Sequence, residues 1–117
     1  MPHLSESIRE CIERCTDCAS ICIETVSHCL SKGGKHADPH HISVLESCAE
    51  ICATSAKFML RGSELHTRTC EVCAEVCDAC AQSCESIGTE EFMKQCAQAC
   101  RSCAESCREM SGAKKAA

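Results

Sequence analysis

Five cysteines, Cys70, Cys73, Cys77, Cys80 and Cys84, follow one another at intervals of 3, 4, 3 and 4 in the stretch CEVCAEVCDACAQSC. Residues three and four apart lie above one another on a helix, so this spacing predicts a helix with a stripe of thiols along one face. The stretch has no Gly or Pro and little β-branching, which favours helix. Thiols in such a row can cross-link, bind a soft metal or simply pack as small apolar groups. Cysteines one turn apart on a helix have Cβ atoms roughly 5–6 Å apart, whereas a disulfide needs about 3.5–4.5 Å. Two metal–sulfur bonds of about 2.3 Å span roughly 4.6 Å, so neighbours on one helix suit a shared ion better than a covalent bridge. One or two such cysteines would be ordinary packing, but five in unbroken register point to metal.

The elements that carry the thiols follow from the same spacing. A first helix, capped at Ser5 or Ser7, carries Cys11, Cys15, Cys18, Cys22 and Cys29, with Thr25 in the vacant slot. A second line on it, Ile8, Ile12, Ala19, Ile23, Val26 and Leu30, reads as packing between helices or subunits. Gly33-Gly34 ends it, and Asp38-Pro39 starts a second helix with only Cys48 and Cys52, whose face continues through His41, Leu45, Ser55 and Met59. Gly62 closes that helix, and Ser63 is placed to cap the third, which bears the opening stripe. After Gly88-Thr89, with Glu90 and Glu91 set against the dipole, a fourth helix carries Cys96, Cys100, Cys103 and Cys107. Helices at about 5–31, 39–60, 63–87 and 89–110 with short connections predict one all-α domain over 1–117, an antiparallel up-down-up-down four-helix bundle with a cysteine-lined core. A frayed tail, GAKKAA, follows.

Composition narrows the chemistry. Sixteen cysteines in 117 residues exceed the roughly 8–10% that signals a disulfide scaffold or a metal binder. Disulfide scaffolds are typically secreted and loop-rich. The N-terminal MPHLSESIRECIERC shows no secretory pattern, which implies a reducing, cytoplasmic setting with free thiols. No apolar run approaches the length of a membrane span, and a net charge of −5 without a basic block argues against nucleic acid. With two Phe and neither Tyr nor Trp, the core must be filled by small side chains or by bound ions.

Soft thiolates select Cu(I), Zn(II) or iron–sulfur clusters. Cluster motifs usually present cysteines from loops, which fits a helical stripe poorly. Tetrahedral zinc would use the thiols four at a time, about four independent ions in all. A continuous stripe suits an ion content with two or three sulfurs, and about one Cu(I) per thiolate leaves the buried site near neutral. Multiple Cu(I) ions are therefore the cargo favoured by the residues. A metallothionein-like zinc or cadmium buffer is the rival binding reading, and a disulfide-linked helical hairpin, paired across helices, the rival structural one.

CxxxCxxC on the first helix, ESCAEICA on the second, then CEVCAEVCDACAQSC and CAQACRSCAESC together resemble the bacterial copper storage proteins over residues 8–110. The resemblance implies a Cys-rich four-helix bundle that holds many Cu(I) ions, and the lack of a visible export signal resembles the cytosolic branch, whose members form tetramers. It carries over all sixteen cysteines as copper ligands: Cys11, Cys15, Cys18, Cys22, Cys29, Cys48, Cys52, Cys70, Cys73, Cys77, Cys80, Cys84, Cys96, Cys100, Cys103 and Cys107. Thr25 and Ser55 stand in stripe positions where that family could place further thiols.

His36, His40 and His41 cluster where the first helix hands over to the second, and His41 lies on the inward register as a ligand or portal residue. Met59 is the thioether candidate at the opposite end, near His66 and Met110. His28 and His3 are expected to face solvent. The CxxC pairs sit in mid-helix, away from the helix N-terminus where a redox cysteine is activated, and no catalytic constellation stands out. No enzyme is expected.

Overall fold

The computed structural model describes residues 4–112; the expectations for His3 and for the tail beyond Gly112 lie outside them. Four helices, α1 (Glu6–Lys32), α2 (Pro39–Leu60), α3 (His66–Ile87) and α4 (Glu91–Ser111), are joined by short connections, the first containing a 3₁₀ turn at Gly34–Ala37. Each helix packs on its neighbours in sequence, and α1 closes the ring against α4. The thiol pairs that face one another give the directions. Cys11, Cys15 and Cys18 meet Cys107, Cys103 and Cys100, while Cys48 and Cys52 meet Cys77 and Cys73. Rising numbers on one helix meet falling numbers on the next, so the bundle is antiparallel.

Local signals account for most of the boundaries. Ser5 Oγ accepts from Ile8 N–H at 3.2 Å and caps α1. Gly33, at φ 72°, ends it by donating its N–H to Cys29 O, a left-handed position that favours glycine. Asp38 accepts from His41 N–H, with Pro39 in the first turn of α2. Helix α3 opens at His66 rather than at Ser63. Ser63 spends its hydroxyl on Leu65 N–H and its carbonyl on His66, so a turn occupies 63–65 before the helix begins.

The core has an unusual composition for a bundle. All sixteen cysteines are fully buried, and the other large side chains sealed with them are Leu45, Met59, Met93, His41 and Thr25. Beside the thiols runs a second buried line, in which a cysteine is followed directly by alanine: Cys18-Ala19, Cys48-Ala49, Cys73-Ala74, Cys80-Ala81, Cys96-Ala97 and Cys103-Ala104. Alanine at these helix contacts lets the backbones approach closely, which brings short cysteine side chains from four helices within reach of one another. The second line expected on α1 divides: Ile8, Ile12 and Val26 pack against the core, whereas Ile23 and Leu30 are exposed.

Candidate metal centre

The sulfurs form one continuous column along the bundle axis. Cross-helix Sγ–Sγ distances run from 3.5 Å for Cys15–Cys107 through 3.6 Å for Cys52–Cys77 to 4.0 Å for Cys73–Cys103. Every cysteine is a free thiol, and these separations are far outside the S–S bond length of about 2.0 Å. Cys73 and Cys77, one turn apart on α3, have their sulfurs 3.9 Å apart, within the span one metal ion can bridge. Buried groups of four sulfurs recur along the column, such as 18/22/48/100, 18/48/52/77 and 52/73/77/103. Successive groups share members: Cys18 and Cys48 belong to the first two, Cys52 and Cys77 to the last two.

Residues 4–112 match the family described as copper storage protein (Csp). The chain belongs to this family. Among solved structures, a protein from Nitrosospira multiformis is 45% identical, with 92% of this chain and 97% of that chain covered at a TM-score of 0.86. The Cu(I)-bound copper storage protein 3 of Bacillus subtilis is 34% identical, covering 91% and 99% at 0.84. A cytosolic copper storage protein from Streptomyces lividans with five coppers is 33% identical, covering 92% and 93% at 0.83. No curated protein sequence matches the chain.

The two ends of this copper storage protein's column differ from its middle and from each other. Where α1 ends and α2 begins, His41 is 1% exposed, and its Nε2 lies 3.5 Å from Cys29 Sγ. Its Nδ1 lies 2.7 Å from Ser83 Oγ on α3, which fixes the ring so that Nε2 faces the sulfur. Cys29 Sγ is also 3.8 Å from Met93 Sδ, giving a nitrogen, a thiol and a thioether in one buried set. Met93 is the residue that reading the sequence missed. It stands three positions before Cys96, so the stripe 93, 96, 100, 103, 107 was there to extend. At the opposite end Met59, 1% exposed, places Sδ 3.9 Å from Cys70, and Ser55 fills a stripe position with its hydroxyl 3.8 Å from the same sulfur. Thr25 takes the corresponding position on α1 and turns its hydroxyl back to Ile21 O at 2.7 Å.

The remaining histidines among the described residues lie outside the column. His66 directs Nδ1 to Ser63 O, and His40 is exposed. His28, expected to face solvent, is instead half-buried: it stacks on Phe92 and reaches Glu90, 62 positions further on, a contact no local spacing could reveal.

Burial and hydrogen bonding set the protonation of the metal-free column. Burial, followed by the neighbouring charge of Cys96, pushes the Cys29 thiol up to about 11, and burial moves His41 down, so this pair is neutral thiol beside neutral imidazole. Within the column, bonds to Cys103 hold Cys73 below the ordinary thiol range, and Cys100 does the same for Cys96. Bonds to Cys103 push Cys77 and Cys107 above it. A thiolate is stabilised by neighbours that donate to it, and those donors must keep their protons. Adjacent sulfurs therefore cannot all ionise until cations arrive to replace the protons.

Proposed function

We propose that the chain is a non-catalytic cytoplasmic store for multiple Cu(I) ions, with all sixteen cysteines as ligands and His41, Met59 and Met93 adding donors at the two ends. The observation that carries this is the sharing of sulfurs between successive groups of four along an unbroken column. In a tetrahedral zinc site the sulfurs stand about 3.8 Å apart, so any one group would accept zinc. The groups 15/73/103/107, 18/48/52/77 and 22/80/96/100 share no sulfur and could take zinc together, but filling them excludes every group that overlaps them and uses twelve of the sixteen thiols. Cu(I), content with two or three soft donors, occupies the whole column when sulfurs bridge adjacent ions. Each ion replaces a proton, so charge stays nearly balanced in a core that could not tolerate many bare thiolates. The disulfide reading finds no support: every thiol is free.

Reduced thiols at this density suit a reducing compartment, and the Streptomyces lividans relative is cytosolic. No helix among the described residues is long and apolar enough to cross a membrane. Exposed Ile23 and Leu30 on α1 and the groove of about 570 Å³ between α1 and α2, lined by Ile23, Val26, Ala49 and Ala53 with Glu46 and Glu50, support association of copies, and the resemblance to the cytosolic branch is what makes the expected assembly a tetramer.

Anaerobic titration of the fully reduced chain with Cu(I), followed by counting the ions retained after desalting, tests the storage reading. The expected capacity is on the order of one ion per thiol, with no free thiol left to a titrant at saturation. Saturation near four ions per chain would support independent tetrahedral sites instead.

A further inference from the structure

One cluster of metal-ligating side chains stands apart from the sulfur column. His28 near the end of α1, His36 in the 3₁₀ turn and Glu90 before α4 converge on a single oxygen. Glu90 Oε2 lies 2.8 Å from His36 Nε2 and 3.1 Å from His28 Nε2. The rings are held in place: His28 lies flat on Phe92, centroids 4.4 Å apart and planes within 6°, and meets the His36 ring edge-on at 6.0 Å. Glu90 is the N-cap residue of α4, yet its side chain makes no capping hydrogen bond and is turned to the histidines instead. Gly88 provides the room. A Cβ there would collide with Glu90 Oε1 and stand 3.1 Å from His36 Nε2. The Gly88 backbone is extended, a conformation open to any residue, so glycine serves here to leave space.

We propose that His28, His36 and Glu90 form a surface site for a divalent first-row cation of borderline softness, of which zinc is the representative, separate from the Cu(I) column. Two imidazoles and a carboxylate are donors that such ions take, and the set offers neither thiolate nor thioether to attract Cu(I) away from the buried sulfurs. Metal–nitrogen and metal–oxygen bonds of about 2.0–2.2 Å at the tetrahedral angle place donor atoms roughly 3.3–3.6 Å apart. The metal-free contacts of 2.8 and 3.1 Å are hydrogen bonds that a bound cation replaces, the donors opening by about 0.5 Å to admit it. The three side chains are 22%, 12% and 31% exposed, which leaves open positions for water on the ion. A cation here ties the end of α1, the 3₁₀ turn and the start of α4 together at the end of the bundle where Cys29, His41 and Met93 lie.

The test uses the full chain loaded anaerobically with Cu(I) to saturation, so that the sulfurs are occupied, then titrated with zinc sulfate and desalted, with both metals counted. Zinc is chosen because it does not exchange electrons with thiols. Wild type is expected to retain one zinc per chain with its copper unchanged, whatever number of Cu(I) ions the column holds. His36→Gln and Glu90→Gln are expected to weaken zinc at least tenfold, and Gly88→Ala to weaken it by crowding the carboxylate. Copper capacity in each variant reports that it has folded, and His28→Gln stands in for any that has not. No zinc on wild type, equal zinc on wild type and the variants, or copper lost as zinc is gained would each overturn the proposal, the last because the zinc would then be in the column.

Discussion

The two ends of the thiol column are built from different donors. Where α1 passes to α2, a buried imidazole held by Ser83 faces Cys29, whose sulfur also meets Met93. At the far end Met59 and Ser55 flank Cys70, and His66, one helical turn before Cys70 in the sequence, is turned to a backbone carbonyl. The first end offers a neutral nitrogen beside two sulfurs, the second a thioether and a weakly interacting hydroxyl. Between them lies a middle of sulfur alone. The middle holds the larger number of thiols, and at the nitrogen-bearing end copper uptake is expected to begin if the oriented neutral imidazole binds without first losing a proton.

Substitutions that separate middle from ends should rank accordingly. The largest effect is expected from Cys48→Ser with Cys52→Ser, which strips α2 of its thiols. Because these sulfurs belong to several overlapping groups, capacity should fall by more than the two ions of a one-for-one loss, as read by metal counting. A loss of only two would show that the sulfurs act independently. Next, His41→Leu should slow copper uptake and weaken binding at its end, and Ser83→Ala, which releases the ring, should weaken that binding about tenfold, measured by competition with a Cu(I) chelator. Equal effects from Met59→Leu would remove the distinction between the ends. That substitution nearly conserves volume, so its cost in stability should stay below about 1.5 kcal/mol in chemical denaturation.

The pH dependence sharpens the same contrast. Cys29 keeps its proton up to about 11, while His41 is neutral at pH 7 because burial lowers its pKa. Copper must displace one proton at this pair, so apparent affinity there should rise about tenfold for each pH unit between neutrality and pH 10. A flat profile in chelator competition would mean that Cys29 is not the ligand. The smallest expected change is a gain: Ser55→Cys fills the gap beside Cys70 and should add about one ion to the titration endpoint.

Much of this was legible in the sequence, for a specific reason. Alternating steps of three and four put Cys70 to Cys84 on one helix face, and four such faces in one chain have a common axis as their simplest burial. His41 and Met59 were readable as extensions of the α2 face. The role of the paired alanines was harder to see, since Ala19 or Ala74 signals nothing until two helices are brought together. Met93 continues a visible stripe three positions before Cys96, but a methionine at a helix end reads equally well as an ordinary gap-filler. The meeting of His28 and His36 with Glu90 was beyond reach, because it depends on how the start of α4 lies against the end of α1. The start of α3 shows the limit of capping rules: Ser63 has the right residue type, but its hydroxyl and carbonyl are used within its own turn.

X-ray absorption at the copper edge of the fully loaded protein tests the sharing of sulfurs most directly. A column in which neighbouring ions bridge common thiolates gives each copper two or three sulfur ligands and a second copper close by. A shell of four sulfurs with no copper neighbour, or one dominated by nitrogen and oxygen, would contradict it.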